Sequence, residues 1–207
     1  MTERHKFDVK HADFLDSPQR RAFLKTENIL KRIGVKPQMK VADVGCGTGF
    51  FTIPMAKIVG DKGKIFAIDI QEEMIAILNE KIQKLEIKNV ETFLSTEEHI
   101  PLPNESVDLA LMASLLHELD SYATVKEVYR FLKPNGVLAV LEWKKEESPS
   151  EFGPPTWERL TPNQTREIVE KMGVEVKDIS SIGPYHYLVI SVKQSKNRRF
   201  RPFTYTV

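Results

Sequence analysis

Cysteine is nearly missing from this chain of 207 residues, which carries only Cys46. One thiol excludes an internal disulfide and a cysteine-rich zinc site, and it fits a reducing compartment. An excess of either charge is lacking too. Lysine and arginine number 30 against 29 acids, a formal net charge of +1, so no global field draws the chain to nucleic acid. No window approaches the roughly 20 apolar residues of a membrane span. The opening MTERHKFDVK mixes charges with no apolar stretch behind them, so a secretory leader is not expected and a cytoplasmic location is. Internal repeats are absent, and FGPP at residues 152–155 is the only spot rich in Gly or Pro, too little for a linker. At this length the default is one domain around one core.

What is present is alternation. Ser17 and Pro18 form a helix start, and Leu24, Ile29, Leu30 and Ile33 give that leading helix an apolar face until Gly34 ends it. Strand-like runs follow at Lys40 to Val44, Lys64 to Asp69, Val90 to Leu94, Val107 to Met112 and Gly136 to Trp143, the last launched from the turn KPNG. Amphipathic helices separate them, from Phe50, from Gln71 and from Tyr122 to Leu132. Thr161, Pro162 and Gln164 make a capping box for a further helix that Gly173 closes. Val174 to Ser181 and Tyr185 to Val192 are joined by a turn too short for a parallel crossover, so they pair antiparallel. The pattern predicts an α/β fold with a doubly wound, mostly parallel sheet closed by an antiparallel hairpin, binding its ligand at the carboxyl ends of the strands.

The segment VADVGCGTGF (41–50) puts Asp43 and three glycines, Gly45, Gly47 and Gly49, between a strand and a helix. Such glycines permit positive φ and close backbone approach to a ligand, and the helix offers free N–H groups. In a dinucleotide fingerprint the third glycine falls three residues after the second, where this chain has Phe50. Asp43 also argues against a pyrophosphate, which a nearby carboxylate repels. S-Adenosylmethionine, with an ammonium and a sulfonium beside its carboxylate, is the better complement to a loop that offers an acid and backbone donors.

Over roughly Val35 to Val192 the chain resembles the seven-stranded class I methyltransferases, whose D-x-G-x-G-x-G loop binds the methionine end of that cofactor. Nearest in character are the ubiquinone and menaquinone C-methyltransferase-like enzymes. The resemblance implies seven strands in the order 3-2-1-4-5-7-6 behind an N-terminal helix. It implies cofactor contacts from Asp43, Gly45, Cys46, Gly47 and Gly49, from Asp69 to the ribose hydroxyls, and from Ile70 and Met74 to the adenine face. Thr96 stands where the family keeps an aspartate beside the adenine amino group, with Ser95 and Glu97 as substitutes, and Ala113 follows on the next strand. Residues 1–34 are expected to supply a lid and the leading helix, 35–193 the catalytic unit, and 194–207 a basic and aromatic tail.

His117, just beyond the strand bearing Asp108, is the candidate general base, with Glu118 to orient it; the alternative is a capping or packing histidine. Glu142, Trp143, Tyr185, His186 and Tyr187 are candidate substrate-pocket residues. Cys46 is expected to be a small packed residue, since nothing adjacent lowers its pKa. Phe7, His11 and Phe14 are placed for a lid, against the alternative of a disordered terminus. Lys193, Lys196, Arg198, Arg199 and Arg201 beside Phe200, Phe203 and Tyr205 form a surface of the kind used on RNA, or simply a solvated tail. A small-molecule acceptor comes first; RNA or protein methylation, a non-catalytic cofactor-binding subunit and a nicotinamide-dependent oxidoreductase are alternatives, and a homodimer is allowed. No metal ligands are assigned. DNA-base methylation is disfavoured because the strand after Asp108 ends in Ala113, Ser114 and Leu115 rather than an Asn/Asp-Pro-Pro-aromatic motif, and arsenite methylation needs several thiols where only Cys46 is present.

Overall fold

The computed structural model describes residues 6–145 and 153–195. Seven strands form a single sheet, β1 (Lys40–Val44), β2 (Lys64–Asp69), β3 (Val90–Leu94), β4 (Val107–Ala113), β5 (Leu132–Trp143), β6 (Val174–Ile182) and β7 (His186–Lys193). Their order is β3-β2-β1-β4-β5-β7-β6. Pairing is parallel from β3 across to β5, and antiparallel from β5 to β7 and from β7 to β6. Chain order reverses between β1 and β4, and the helices that leave these strands diverge to open a crevice at their carboxyl ends.

Both faces of the central strands are buried, which is why they read as unbroken apolar runs. On one face Val41, Leu109, Leu111 and Leu141 pack against α3 (Thr26–Ile33) and α4 (Thr52–Val59) through Leu30, Ile33 and Met55. On the other, Ala110, Met112 and Val140 pack against α6 (Ala123–Phe131) and α7 (Pro162–Lys171) through Val128, Phe131, Ile168 and Val169. The remaining helices are α1 (Ala12–Leu15), α2 (Pro18–Phe23) and α5 (Glu72–Lys84).

Two boundaries differ from the sequence reading. The leading helix is two helices, because the chain opens at Leu24 (φ −107°, ψ 87°). That break sinks Leu24 into the core and lets Phe23 meet the rings of Trp143, Tyr185 and His186. The Phe23 carbonyl also lies so close to Gly183 that a Cβ there would stand 2.8 Å from its oxygen. Strand β5 begins at Leu132, which pairs with Val107 before a register shift, so KPNG lies within the strand's irregular start. The capping box of α7 forms as read, with Thr161 Oγ1 accepting from Gln164 N and Gln164 Oε1 from Thr161 N.

His186 is fully buried between Phe23 and Trp143, and neither ring nitrogen has a hydrogen-bond partner among the described residues. Burial, with the charges of Arg20, Arg159 and Lys144, pushes its pKa down to about 3. The unfolded state therefore takes up a proton here from about pH 6.5 downward while the folded state does not, and stability is lost as pH falls. His186→Phe keeps the stacking and removes the unpaired nitrogens, so it should be neutral or stabilising by about 1–3 kcal/mol. Urea denaturation at pH 7 and pH 5 checks this: the variant's gain is expected to grow at pH 5, and a variant weaker than the parent at both pH values contradicts it.

Candidate active site

A cleft of about 470 Å³ opens over the carboxyl ends of β1, β2 and β4. The loop after β1 forms its floor. Gly45 and Gly47 have φ of +72° and +51°, and Gly45 N–H and Cys46 N–H both donate to the Ile68 carbonyl, tying the loop to β2. A Cβ on Gly47 would come within 3.1 Å of Leu15 Cδ1 across the cleft. Gly49 is different. It does not line the cleft, and a Cβ there would collide with Leu78 of α5, so its role is helix packing. Cys46 is buried, and burial beside Asp43 and Asp69 raises its pKa far above the ordinary thiol range, which leaves it unreactive.

Two buried acids frame the loop. Asp43 accepts from Thr52 Oγ1 at 2.5 Å, and burial lifts its pKa to about 6 against the opposing pull of that hydroxyl and of Arg20. Asp69 accepts from Gly47 N at 2.8 Å and Gln71 N at 3.0 Å, so it caps α5 and holds the glycine loop at once. Burial raises its pKa in spite of these donors. Ile70 and Met74 line the wall beyond it, Ile70 with 40% of its surface exposed. Thr96 Oγ1 accepts from His99 N at 3.1 Å, Ser95 N–H donates to the Asp69 carbonyl, and Glu97 is ion-paired with Lys6. Ala113 closes the far wall.

Arg20 was not marked by the sequence, since a cation on a short amphipathic helix reads as a solvated face. It is buried in the cleft wall, 4.4 Å over the Phe50 ring, with NH1 donating to the Leu15 carbonyl. Burial lowers its pKa to about 10 despite Asp16 and Asp43.

His117 sits in the turn after β4, buried yet lining the cleft. Its Nδ1–H donates to Glu142 Oε2 at 2.8 Å, and Glu142 Oε1 accepts from Leu116 N at 2.7 Å. Glu142 in β5, not Glu118, is thus the acid that orients the imidazole. Glu118 lies on the other side, Oε1 3.8 Å from His117 Nε2, with Oε2 accepting from Phe7 N at 3.2 Å. Burial alone depresses the His117 pKa, but the Glu142 and Glu118 charges carry it above its ordinary value. Glu118 itself is raised to about 7 by burial.

Trp143 lines the cleft, whereas Tyr185, His186 and Tyr187 do not. Tyr187 points to the opposite face, where its hydroxyl meets Thr165 and the Leu160 carbonyl. Phe7, His11 and Phe14 do line the cleft. Of the basic tail, Lys193 is buried with Nζ donating to the Tyr129 and Leu132 carbonyls, so it is no part of a solvated surface; Lys196 to Tyr205 lie outside the described residues. No cluster of metal-ligating residues occurs among the described residues, and no helix there is long and apolar enough to cross a membrane.

Sheet order, glycine loop and the acid ending β2 are together those of the seven-stranded methyltransferase class. Residues 35–179 match the family described as methyltransferase domain, and the chain belongs to that family. A crystal structure of a SAM dependent methyltransferase from Aquifex aeolicus is similar over 90% of this chain and 99% of that one, with TM-score 0.86 and 40% identity. S-Adenosylmethionine is the cofactor of this class. A demethylmenaquinone methyltransferase from Geobacillus sp. (strain WCH70) is 32% identical over 143 residues, 67% of this chain and 61% of that protein. The ubiquinone/menaquinone biosynthesis C-methyltransferase UbiE of Shewanella woodyi is 36% identical over 118 residues, 56% of this chain and 47% of that protein. The aligned segments thus span about half to three fifths of these curated relatives.

Gly49 separates the loop's packing from its ligand contacts. Gly49→Ala forces a side chain into φ +91° and against Leu78, which should cost about 1–3 kcal/mol. Chemical denaturation reads this directly; an unchanged midpoint would show that α5 yields without cost.

Proposed function

We propose that this chain transfers a methyl group from S-adenosylmethionine to a small aromatic acceptor of the quinone class, inside the cleft above β1 and β4. The observation that carries the reading is the convergence there of Asp43, Gly45, Gly47, Asp69 and His117, drawn from three strand ends. When bound, the cofactor supplies a methyl group on a sulfonium, so alignment of the acceptor behind that carbon is most of what catalysis requires.

The residues suit that cofactor. Gly45, Cys46 and Gly47 offer room and backbone for the methionine end, which a Cβ on Gly47 would fill. Asp43 matches its ammonium, and Arg20 matches its carboxylate. Asp69 has lone pairs left for two ribose hydroxyls after its backbone bonds, while Ile70 and Met74 give the adenine an apolar wall with Ser95, Thr96 and Glu97 at its polar edge. Ala113 marks the boundary with the acceptor side. There Phe7, Phe14, Leu115, Trp143 and Pro154 make an apolar, largely aromatic surface, which favours a flat ring over a sugar or peptide. The names of the menaquinone and ubiquinone relatives support the same class. His117 is the group that takes the acceptor's proton.

Calorimetry with S-adenosylmethionine, S-adenosylhomocysteine and NAD tests the cofactor half; binding NAD and neither of the others would overturn it. Asp43 adds a pH signature. A cationic ligand favours its ionised form, so affinity should weaken as pH falls below about 6, and binding near that pH should release a proton. Asp43→Asn should lower affinity by about 1.5–3 kcal/mol and abolish the proton release, which titration in buffers of different ionisation enthalpy measures. For the acceptor half, release of S-adenosylhomocysteine is followed with quinone precursors, phenols, amines and small RNAs. With an acceptor found, His117→Gln should lower turnover about 10²- to 10⁴-fold at unchanged cofactor affinity; full turnover in that variant removes His117 from the chemistry.

A further inference from the structure

We propose that Glu142 is the positioning residue of a buried carboxylate–imidazole dyad that fixes the proton of His117 on Nδ1 and leaves the Nε2 lone pair as the proton acceptor of the cleft. The inference rests on the reading of His117 as the base and adds both the group that makes it one and the kind of acceptor it serves.

Both Glu142 oxygens have a fixed task. One accepts from the Leu116 backbone N–H at 2.7 Å, which locks the carboxylate; the other accepts from His117 Nδ1–H at 2.8 Å. An ionised carboxylate only accepts, so the shared proton resides on the imidazole and the tautomer is settled. The acid sits in the middle of the sheet, in the run AVLEW of β5, where β4 and β5 run in parallel register with Ala113 beside Leu141. A fully buried carboxylate is costly unless paired, and His117 is the only side chain whose nitrogen donates to it among the described residues. Packing alone would be served better by an apolar residue of similar size.

The charges around the ring set its strength. Glu142 faces it from β5, Glu118 from its own turn and Glu158 from the segment before α7. Lys6, from the N-terminal segment, bonds the Glu118 carbonyl and pairs with Glu97 and Asp120. Because burial lifts Glu118 to about 7, that carboxylate is only partly ionised at neutral pH. Glu118 is thereby a weaker counter-charge than its position suggests, and above its own titration His117 is neutral, as a base must be. When an acceptor's X–H bond gives up its proton to Nε2, the bonding pair stays on the acceptor as the nucleophile, and Glu142 stabilises the imidazolium that forms. The dyad therefore points to an acceptor that must lose a proton, an O–H or activated C–H acid, rather than a thioether or tertiary amine that has a free lone pair and no proton to shed.

NMR of the imidazole nitrogens in the cofactor-free protein supplies a readout independent of turnover. Above its titration, His117 should carry its proton on Nδ1; the opposite tautomer overturns the proposal without any variant. Glu142→Gln removes the charge and leaves a single oxygen for the two donors, so its amide NH2 must face either Leu116 N–H or His117 Nδ1. The His117 pKa should fall by about one unit or more, the acidic limb of the rate profile should move down with it, and turnover should drop about 10- to 10²-fold at unchanged cofactor affinity. Glu142→Asp should restore part of the pKa. A folded Glu142→Gln protein with an unmoved His117 titration and limb rejects the dyad while leaving His117 as base; an active His117→Gln protein rejects the underlying reading instead.

Discussion

The hydrogen bond from Gly47 N–H to Asp69 Oδ2 links the last residue of β2 to the loop that follows β1. It spans the gap between two neighbouring parallel strands at the point where the chain has left the sheet and has no ladder left to hold it. Together with the bonds from Gly45 N–H and Cys46 N–H to the Ile68 carbonyl, it defines the path of a loop whose glycines would otherwise sample many conformations. With it, the loop, the start of α5 and the end of β2 become one unit, and the floor of the cleft has a fixed shape before any ligand arrives.

That floor is assembled from groups under electrostatic tension. Asp43, Asp69, Glu118 and Glu142 are all buried or nearly so around the cleft, and the neighbouring cations, Lys6 and Arg20, reach only some of them. Burial raises Asp43, Asp69 and Glu118. A domain selecting for stability alone would replace such carboxylates by apolar side chains. Their presence at the ends of strands or in turns, and not elsewhere in the core among the described residues, is what separates this crevice from the other packed junctions of the sheet.

Much of this was legible in the sequence, for a physical reason: alternation, caps and glycine turns are local, and the parallel order follows from βαβ units that fold one way. The seven strands, the capping box at Thr161 and the hairpin at Gly183 were all within reach. What escaped depends on register. Glu142 and His117 lie 25 positions apart and meet only because β4 and β5 are adjacent, although an acid inside AVLEW was itself a signal that something must pair with it. The parity of Tyr185, His186 and Tyr187 was ambiguous because a strand offers both faces, and in the structure none of the three lines the cleft. Gly49 followed the glycine spacing of its neighbours, yet its crowding comes from Leu78, 29 residues away. The break at Leu24 answers to the rings of β5 and β7 that receive Phe23, and no local propensity announces it.

The N-terminal segment crosses the mouth of the cleft fastened at both ends. Lys6 and Phe7 reach Glu97, Glu118 and Gln71 on one side, and Asp16 reaches Thr48 and Lys81 on the other. Two of these fastenings are partly exposed ion pairs, which dissolved salt weakens more than it weakens the buried groups of the floor below. Entry to the cleft is therefore the step most open to ionic strength, whereas the charges that grip a ligand inside it, Asp43 and Arg20, are buried and screened much less.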